Sequence, residues 1–539
     1  MAFTPEPVVS GTLPSIEQAS GKAWTPLYLH GCSFPPEIFR EVMLNLIRNP
    51  NINSNHLFRA DISLDVPFSD DFQPEPSISP RIEHFKGFVL KTVMVRTMVP
   101  RNVLVDKPLD QTCLLYEQVA DSGKTLSLVI YLPHISSAIE SPFYHPAVHG
   151  IGFLHIFDPE KQAGVISIHY SFFDSEPRSV KLERTALHLL AVLHKHGQGL
   201  ANGYVKRVQH DVILPQAKVQ NTYARLKAKY ARSLSQAWVE DTDPGKHVFE
   251  DLGIAAFLIE LWTEMYKDTP FPGFADIGCG NGLLVHLLIE EGYLGWGFDA
   301  RRRKSWLIWS TKAQENLEEL VLIPSIISKK KVLSEKPIDE NQFAEPILKP
   351  GQNTAKSPCE MPDNNTQLET PILKPFEGED ITNTQNTNQF PTKEIQEVGI
   401  HNGLFPKGTF IISNHADELT PWTPILANLS ESPFMMIPCC SHALSGDRFR
   451  APPPKEAGAS SSAYASLVAW VSKLATECGW KVEKEMLRIP STRNTALIGR
   501  HRDMPFDEVD VVDLVDDNGG AVCWEENALK LVKSAVRGH

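Results

Sequence analysis

Residues 271–306 read FPGFADIGCGNGLLVHLLIEEGYLGWGFDARRRKSW, and this stretch decides the fold. Phe274 to Ile277 is a short, largely apolar run that leads into Gly278, Gly280 and Gly282. Beyond it Leu283, Leu284, Leu287, Leu288 and Ile289 recur at helical spacing. The pattern predicts a strand, a glycine turn and a helix. Gly292 then stops the helix, Leu294 to Phe298 form a second apolar run, and Asp299 closes it. Glycines at such a turn permit positive φ and let a ligand approach the main chain, with the helix N-terminus facing it. The arrangement suits a nucleoside.

The spacing narrows the choice. A dinucleotide fingerprint is G-x-G-x-x-G, whereas Gly278-Cys279-Gly280-Asn281-Gly282 brings the third glycine one place early, which counts against NAD. The stretch resembles motif I of the S-adenosylmethionine-dependent methyltransferases, whose D-x-G-x-G-x-G pattern is met by Asp276, Gly278, Gly280 and Gly282. That resemblance implies an α/β fold: a doubly wound, Rossmann-like class I methyltransferase domain with S-adenosylmethionine as cofactor. It also implies a carboxylate on the ribose hydroxyls at the end of the second strand, where Asp299 stands. The chemistry agrees, since one carboxylate accepts two hydroxyl hydrogen bonds. A bare strand-to-helix turn would require neither the second strand nor its terminal acid.

At 539 residues the chain is long enough for two or three domains, each with its own core. Hydrophobic residues at 42% and charged residues at 22% are ordinary for a soluble protein. No apolar run reaches the roughly 18 residues of a membrane span. The N-terminal MAFTPEPVVSGTLPSIEQ lacks a basic region followed by an apolar core, so no secretory signal is read and a cytoplasmic location is expected. Eight cysteines, at 32, 113, 279, 359, 439, 440, 478 and 523, show no C-x-x-C. Cys439, Cys440 and His442 form the one dense group, but adjacent cysteines rarely share one metal ion, so buried or strand-end thiols are expected and no metal.

The net charge of −13 argues mildly against a polyanionic partner. Its distribution reverses the argument. Between Val205 and Leu234 seven cations (Lys206, Arg207, Lys218, Arg225, Lys227, Lys229, Arg232) face only Asp211, a local 7 − 1 = +6, while Phe506 to Asp517 holds six acids.

In chain order, residues 1–23 are rich in Pro, Ser and Glu without periodicity and are expected to lack structure. Residues 24–204 carry β-branched and aromatic runs at Phe88–Val95, Thr112–Tyr116, Leu126–Leu132, Ile151–Phe157 and Val165–Phe172, which predict a mixed α+β domain. Residues 52–80, with many Ser, Pro and Asp, predict a long loop. A helix is expected over Leu182–His196, with Ser179 at its start. Residues 205–328 hold a basic helix, Val219–Trp238, with Tyr223, Leu226, Tyr230 and Leu234 on one stripe. A long apolar helix, His247–Tyr266, follows, and then the first half of the methyltransferase domain. The cationic face of the basic helix reads either as a phosphate track near the active site or as a solvated surface. Arg301-Arg302-Arg303-Lys304 leaves the same choice open, while Trp306 and Trp309 suit packing better than base stacking. Residues 329–400 are dominated by Asn, Gln, Thr, Pro and Lys, with EPILKP at 345–350 recurring as TPILKP at 370–375, which predicts a disordered insertion. The second half of the domain, residues 401–539, then supplies strands at Thr409–Ile412, Phe434–Ile437, Trp480–Leu487 and Thr495–Gly499 and a helix at Tyr464–Ala475.

Ligands of open α/β sheets sit beyond the carboxyl ends of strands, so the loop Asn414-His415-Ala416-Asp417-Glu418, ahead of a helix expected from Pro421, should share the crevice with Gly278 and Asp299. Methyl transfer to a ribose hydroxyl is helped by a base, and His415, Asp417 and Glu418 are the candidates. Each has an alternative role: the acids as caps of the following helix, His415 as a partner of the loop backbone.

The stretch from 276, together with NHADELTPW (414–422), IPCCSH (437–442), LRIPSTRNTALIGR (487–500) and TDPGKHVFEDLGIAAFLIELW (242–262), resembles the eukaryotic tRNA (uracil-2′-O-)-methyltransferases. These act on a uridine beside the variable arm of serine tRNA. The resemblance covers Lys206 to Arg500 apart from the insertion. It implies a cytoplasmic enzyme with tRNA as partner and no membrane. The cofactor is expected on Asp276, Gly278, Gly280, Asn281, Gly282, Asp299 and Asn414, and the Asn414–Glu418 loop at the transferred methyl. The Cys/His zinc-finger spacing appended in some relatives is absent.

Overall fold

The computed structural model describes residues 3–533 apart from 328–398 and the short stretches 10–11, 13–15, 70, 74, 76–77, 103–104, 121–122, 174–178, 206–208 and 455–461. The chain divides into two compact units, Met1–Arg207 and Val208–His539.

The first unit is an antiparallel sheet with helices on one face. Its elements are β1 (Glu6–Pro7), β2 (Thr25–Cys32), α1 (Pro36–Arg48), β3 (Leu57–Pro67), β4 (Val89–Pro100), β5 (Leu109–Val119), β6 (Thr125–Pro133), β7 (Gly150–Asp158), β8 (Ala163–Ser171) and α2 (Val180–Ala201). The strands lie in the order β1-β2-β8-β7-β6-β5-β4-β3. Alternation along each strand separates two cores. Leu114, Tyr116, Leu128 and Ile130 pack with Trp24 and Phe85 on one face. Cys113, Leu115, Val129 and Tyr131 lie on the other beneath Phe39 and Met43 of α1 and Leu190 and Leu193 of α2. Ser179 caps α2 as expected, accepting from the Leu182 N–H. The loop expected over residues 52–80 is corrected: β3 occupies Leu57–Pro67, paired antiparallel to β4. Its Asp and Ser positions read as loop composition because β3 ends the sheet and only part of it is buried.

The second unit is doubly wound. It begins with α3 (Gln216–Gln236) and α4 (Pro244–Met265), followed by β9 (Phe274–Ile277), α5 (Leu283–Glu290), β10 (Gly295–Asp299), β11 (Leu317–Leu322), β12 (Gly399–His401), β13 (Phe410–Asn414), β14 (Phe434–Ile437), β15 (Trp480–Met486) and β16 (Thr495–Arg502). The sheet order is β12-β11-β10-β9-β13-β14-β16-β15. Pairs from β12 to β14 are parallel, and β16 runs antiparallel to β14 and β15. Order reverses between β9 and β13, which opens a crevice at their carboxyl ends. Phe274, Phe410, Ile412 and Met435 face the layer of α3, α4 and α5. Ala275, Ile411, Phe434 and Met436 face the helices Thr423–Leu429 and Ala463–Glu477. The insertion expected over residues 329–400 lies outside the described residues except at its end, where Gly399–His401 pairs parallel with β11. Among the described residues no helix is long and apolar enough to cross a membrane.

Candidate active site

β9 delivers the chain into a turn that only glycine takes without strain: Gly278, Gly280 and Gly282 have φ of 69°, 52° and 69°. The turn is held from behind. The Trp306 indole donates to the Gly280 carbonyl at 2.9 Å, and the Trp309 indole and Ser305 hydroxyl both donate to the Asn281 carbonyl at 2.8 Å. The tryptophans are therefore packing residues, as expected, and also brace the turn. In front of the turn there is room, since a Cβ built on Gly280 meets nothing within 4 Å. Asn281 accepts from the Leu283 N–H at 2.8 Å, so its side chain closes the turn just ahead of α5.

Asp299, at the end of β10, accepts from the N–H of Gly280 at 3.0 Å through one oxygen and from the N–H of Arg301 at 3.1 Å through the other. The two bonds orient the carboxylate and leave each oxygen a second lone pair. Burial pushes Asp299 above the usual carboxylate range, against the opposing charge of Arg303. Asp276, on β9, is 1% exposed, and its Oδ1 has no partner. Burial, then Asp251 and Asp299, push it well above the usual range.

From β13 the chain enters a strained loop, with His415 at φ 52° and Asp417 at φ 41°. A Cβ on Gly278 would come 3.0 Å from that of Ala416, so this loop and the glycine turn abut. The Asn414 amide donates to Asp251 at 3.3 Å while its Oδ1 is buried without a partner. His415 Nε2 meets Glu250 Oε1 at 3.0 Å. Burial would raise Glu250, but the His415 hydrogen bond and charge, with Lys246, outweigh it and hold the carboxyl below its ordinary value. Asp251 is the reverse: burial, then Glu250, push it up to about 8 against the Asn414 hydrogen bond. Asp417 accepts from the Cys439 thiol at 2.9 Å, and Glu418 lies 3.7 Å from His442. The helix expected from Pro421 is corrected: Asp417–Leu419 is a 3-10 turn and the helix runs over Thr423–Leu429, so neither acid caps it.

The crevice thus gathers Asp276, Gly278, Gly280, Asp299, Asn414 and His415. Sequence reading missed Glu250 and Asp251. The signal was present, because two adjacent acids interrupt the apolar run of α4 and both are buried. The phosphate track on α3 is placed differently. Arg225 and Lys229 pair with Glu291, which follows the last residue of α5, roughly 12 Å of helix from the glycine turn. Lys227 stands over the Phe249 ring, and Lys206 and Arg207 lie outside the described residues.

The geometry fits S-adenosylmethionine on this chain's own features: open space before the turn, a braced ribose-type carboxylate, and orphaned buried oxygens on Asp276 and Asn414. Buried acids also suit a sulfonium cation.

Comparison with known proteins agrees. Residues 4–207 match the family model described as "TRM44-like, N-terminal bet v1-like domain", and residues 213–324 the model "Predicted AdoMet-dependent methyltransferase". The tRNA (uracil-O(2)-)-methyltransferase of Neurospora crassa is 48% identical, across 99% of this chain and 98% of its own. The proteins of the same name from Saccharomyces cerevisiae and Schizosaccharomyces pombe are each 36% identical, across 96% and 100% of this chain and 94% and 97% of theirs. A full-length match at that identity identifies the family: the chain belongs to the tRNA (uracil-O(2)-)-methyltransferases.

Proposed function

We infer that this chain is an S-adenosylmethionine-dependent methyltransferase that transfers a methyl group to the 2′-hydroxyl of a uridine in tRNA. The carrying observation is the joined crevice, in which a braced glycine turn and Asp299 on one side meet the Asn414–Glu418 loop on the other. The cofactor supplies the electrophilic methyl when bound, on Asp299, Gly278, Gly280 and the Asp276 and Asn414 oxygens. This chain's task is then to orient the hydroxyl and remove its proton.

His415 is our proposed base. Its Nε2–H donates to buried Glu250, which fixes the ring and leaves the Nδ1 lone pair to take the proton. Asp417 is engaged by the Cys439 thiol and Glu418 stands beside His442, which supports placing both away from the proton transfer. Asn281 serves the turn by accepting from the Leu283 N–H. Serine tRNA as the substrate, and the cytoplasm as the location, rest on the family resemblance of the 414–422, 437–442 and 487–500 segments. The domain limits we propose depart from the sequence reading at the start, where Glu6–Pro7 pairs with β2 and Ile16 is buried in the core, so the first domain begins ahead of residue 24 and precedes a methyltransferase domain split by its insertion.

Transfer of labelled methyl from S-adenosylmethionine to total tRNA, followed by nucleoside analysis, tests these roles together. Label should appear in 2′-O-methyluridine of serine tRNA. Asp299→Ala should abolish cofactor binding. His415→Gln should retain binding but lower kcat about 10²–10⁴-fold. Equal kcat in His415→Gln would remove His415 as base, and label in another nucleoside would overturn the substrate.

A further inference from the structure

The loop after β14 brings Cys439 and Cys440 against Asp417 of the loop after β13. A carboxylate oxygen of Asp417 and the two Sγ atoms all lie within 4.8 Å of one another. All three residues are half-buried. We propose that Asp417, Cys439 and Cys440 form a zinc(II) site that ties the β13 loop to the β14 loop.

Three arguments carry it. The first is distance. Zinc binds thiolate at about 2.3 Å and carboxylate oxygen at about 2.0–2.2 Å, so ligands on a tetrahedral ion stand roughly 3.6–3.8 Å apart, and no pair in the group needs to close or open by more than about 1 Å. The second is donor type. Two thiolates exclude magnesium and calcium, while the carboxylate oxygen disfavours copper(I), which leaves zinc. The third is what binds the group now: the Cys439 thiol donates to Asp417 Oδ1 at 2.9 Å, so a proton holds together two atoms that a metal would share. Binding replaces that proton and releases the other thiol proton to solvent.

Backbone geometry explains the purpose. Asp417 holds φ at 41°, a left-handed conformation that disfavours an L-residue, and ligation would hold it there. The site sits two residues from His415, whose backbone N–H bonds Ile437 at the end of β14 at 3.2 Å. A zinc ion at this place would fix the loop on which the ring is carried, with three protein ligands and a fourth position open to water. Adjacent cysteines are an uncommon pair for one ion, and the third ligand arrives from 22 residues away.

The test uses the full-length protein and needs no activity. Protein purified without chelator, then dialysed, should retain about one zinc per chain. Replacement by cobalt(II) should produce thiolate charge-transfer absorption and the intense visible bands of a tetrahedral site. Cys440→Ser and Asp417→Asn should each lose those bands while circular dichroism stays unchanged. Wild-type protein with neither retained zinc nor a tetrahedral cobalt spectrum would overturn the proposal, as would bands that survive in a folded Cys439→Ser, Cys440→Ser protein. The wild-type readings decide even where a variant does not fold.

Discussion

Asp251 shows how one buried group couples the site to stability. Its carboxyl is pushed from an ordinary 3.8 up to about 8 by burial and by Glu250 beside it. The folded form therefore holds a proton that the unfolded chain has released over that whole interval, so stability falls as pH rises from about 4 to about 8. Asp251→Asn removes the ionisation and keeps an oxygen to accept from Asn414. Its melting temperature should match wild type near pH 4 and exceed it by pH 8, by the equivalent of about 1–3 kcal/mol. A difference independent of pH would show that Asp251 is not held protonated. The Glu250–Asp251 pair is legible as two acids in an apolar run, but its protonation state is not, because that depends on burial and on Asn414, distant in sequence.

At the scale of elements, the glycine turn separates two functions of one conformation. Gly280 and Gly282 both need positive φ, but a Cβ at Gly282 would strike Leu317 at 2.8 Å, whereas at Gly280 it enters open space. Gly282→Ala should therefore cost the fold more, while Gly280→Ala should cost about 1–2 kcal/mol in added backbone strain and obstruct the cofactor. Thermal melts with and without S-adenosylmethionine distinguish them: Gly280→Ala should lose most of the ligand-induced shift, and Gly282→Ala should start from a lower baseline. Equal baselines would mean Leu317 yields freely. The turn, α5, β10 and the buried strands β13 and β14 were legible because apolar period and glycine position are local properties. β3 was not, since an edge strand with Asp61, Ser63 and Asp65 only partly covered owes its form to hydrogen bonds with β4. Nor were Glu250 paired with His415, or Cys439 with Asp417, because those contacts exist only once the sheet has assembled.

For the whole molecule, the question is which unit does what. The second unit contains every residue of the crevice and two cores of its own. The first has separate cores on both faces of its sheet. A protein beginning at residue 209 should therefore bind S-adenosylmethionine within about two-fold of the full chain, because ligand linkage acts only through the site it occupies. Transfer to tRNA should behave differently. With a net charge of −13, the chain meets a polyanion through local cation groups rather than its average field, and those within α3 are partly spent on Glu291. Grip on tRNA then falls to other surfaces, the first unit among them. The shortened protein should show a KM for tRNA raised at least ten-fold with an unchanged cofactor affinity, and a shallower dependence of binding on salt, since each lost phosphate contact removes about one unit from the slope. An unchanged KM would place the whole tRNA interface on residues 209–539. Lost cofactor binding would instead show that the crevice depends on residues before 209.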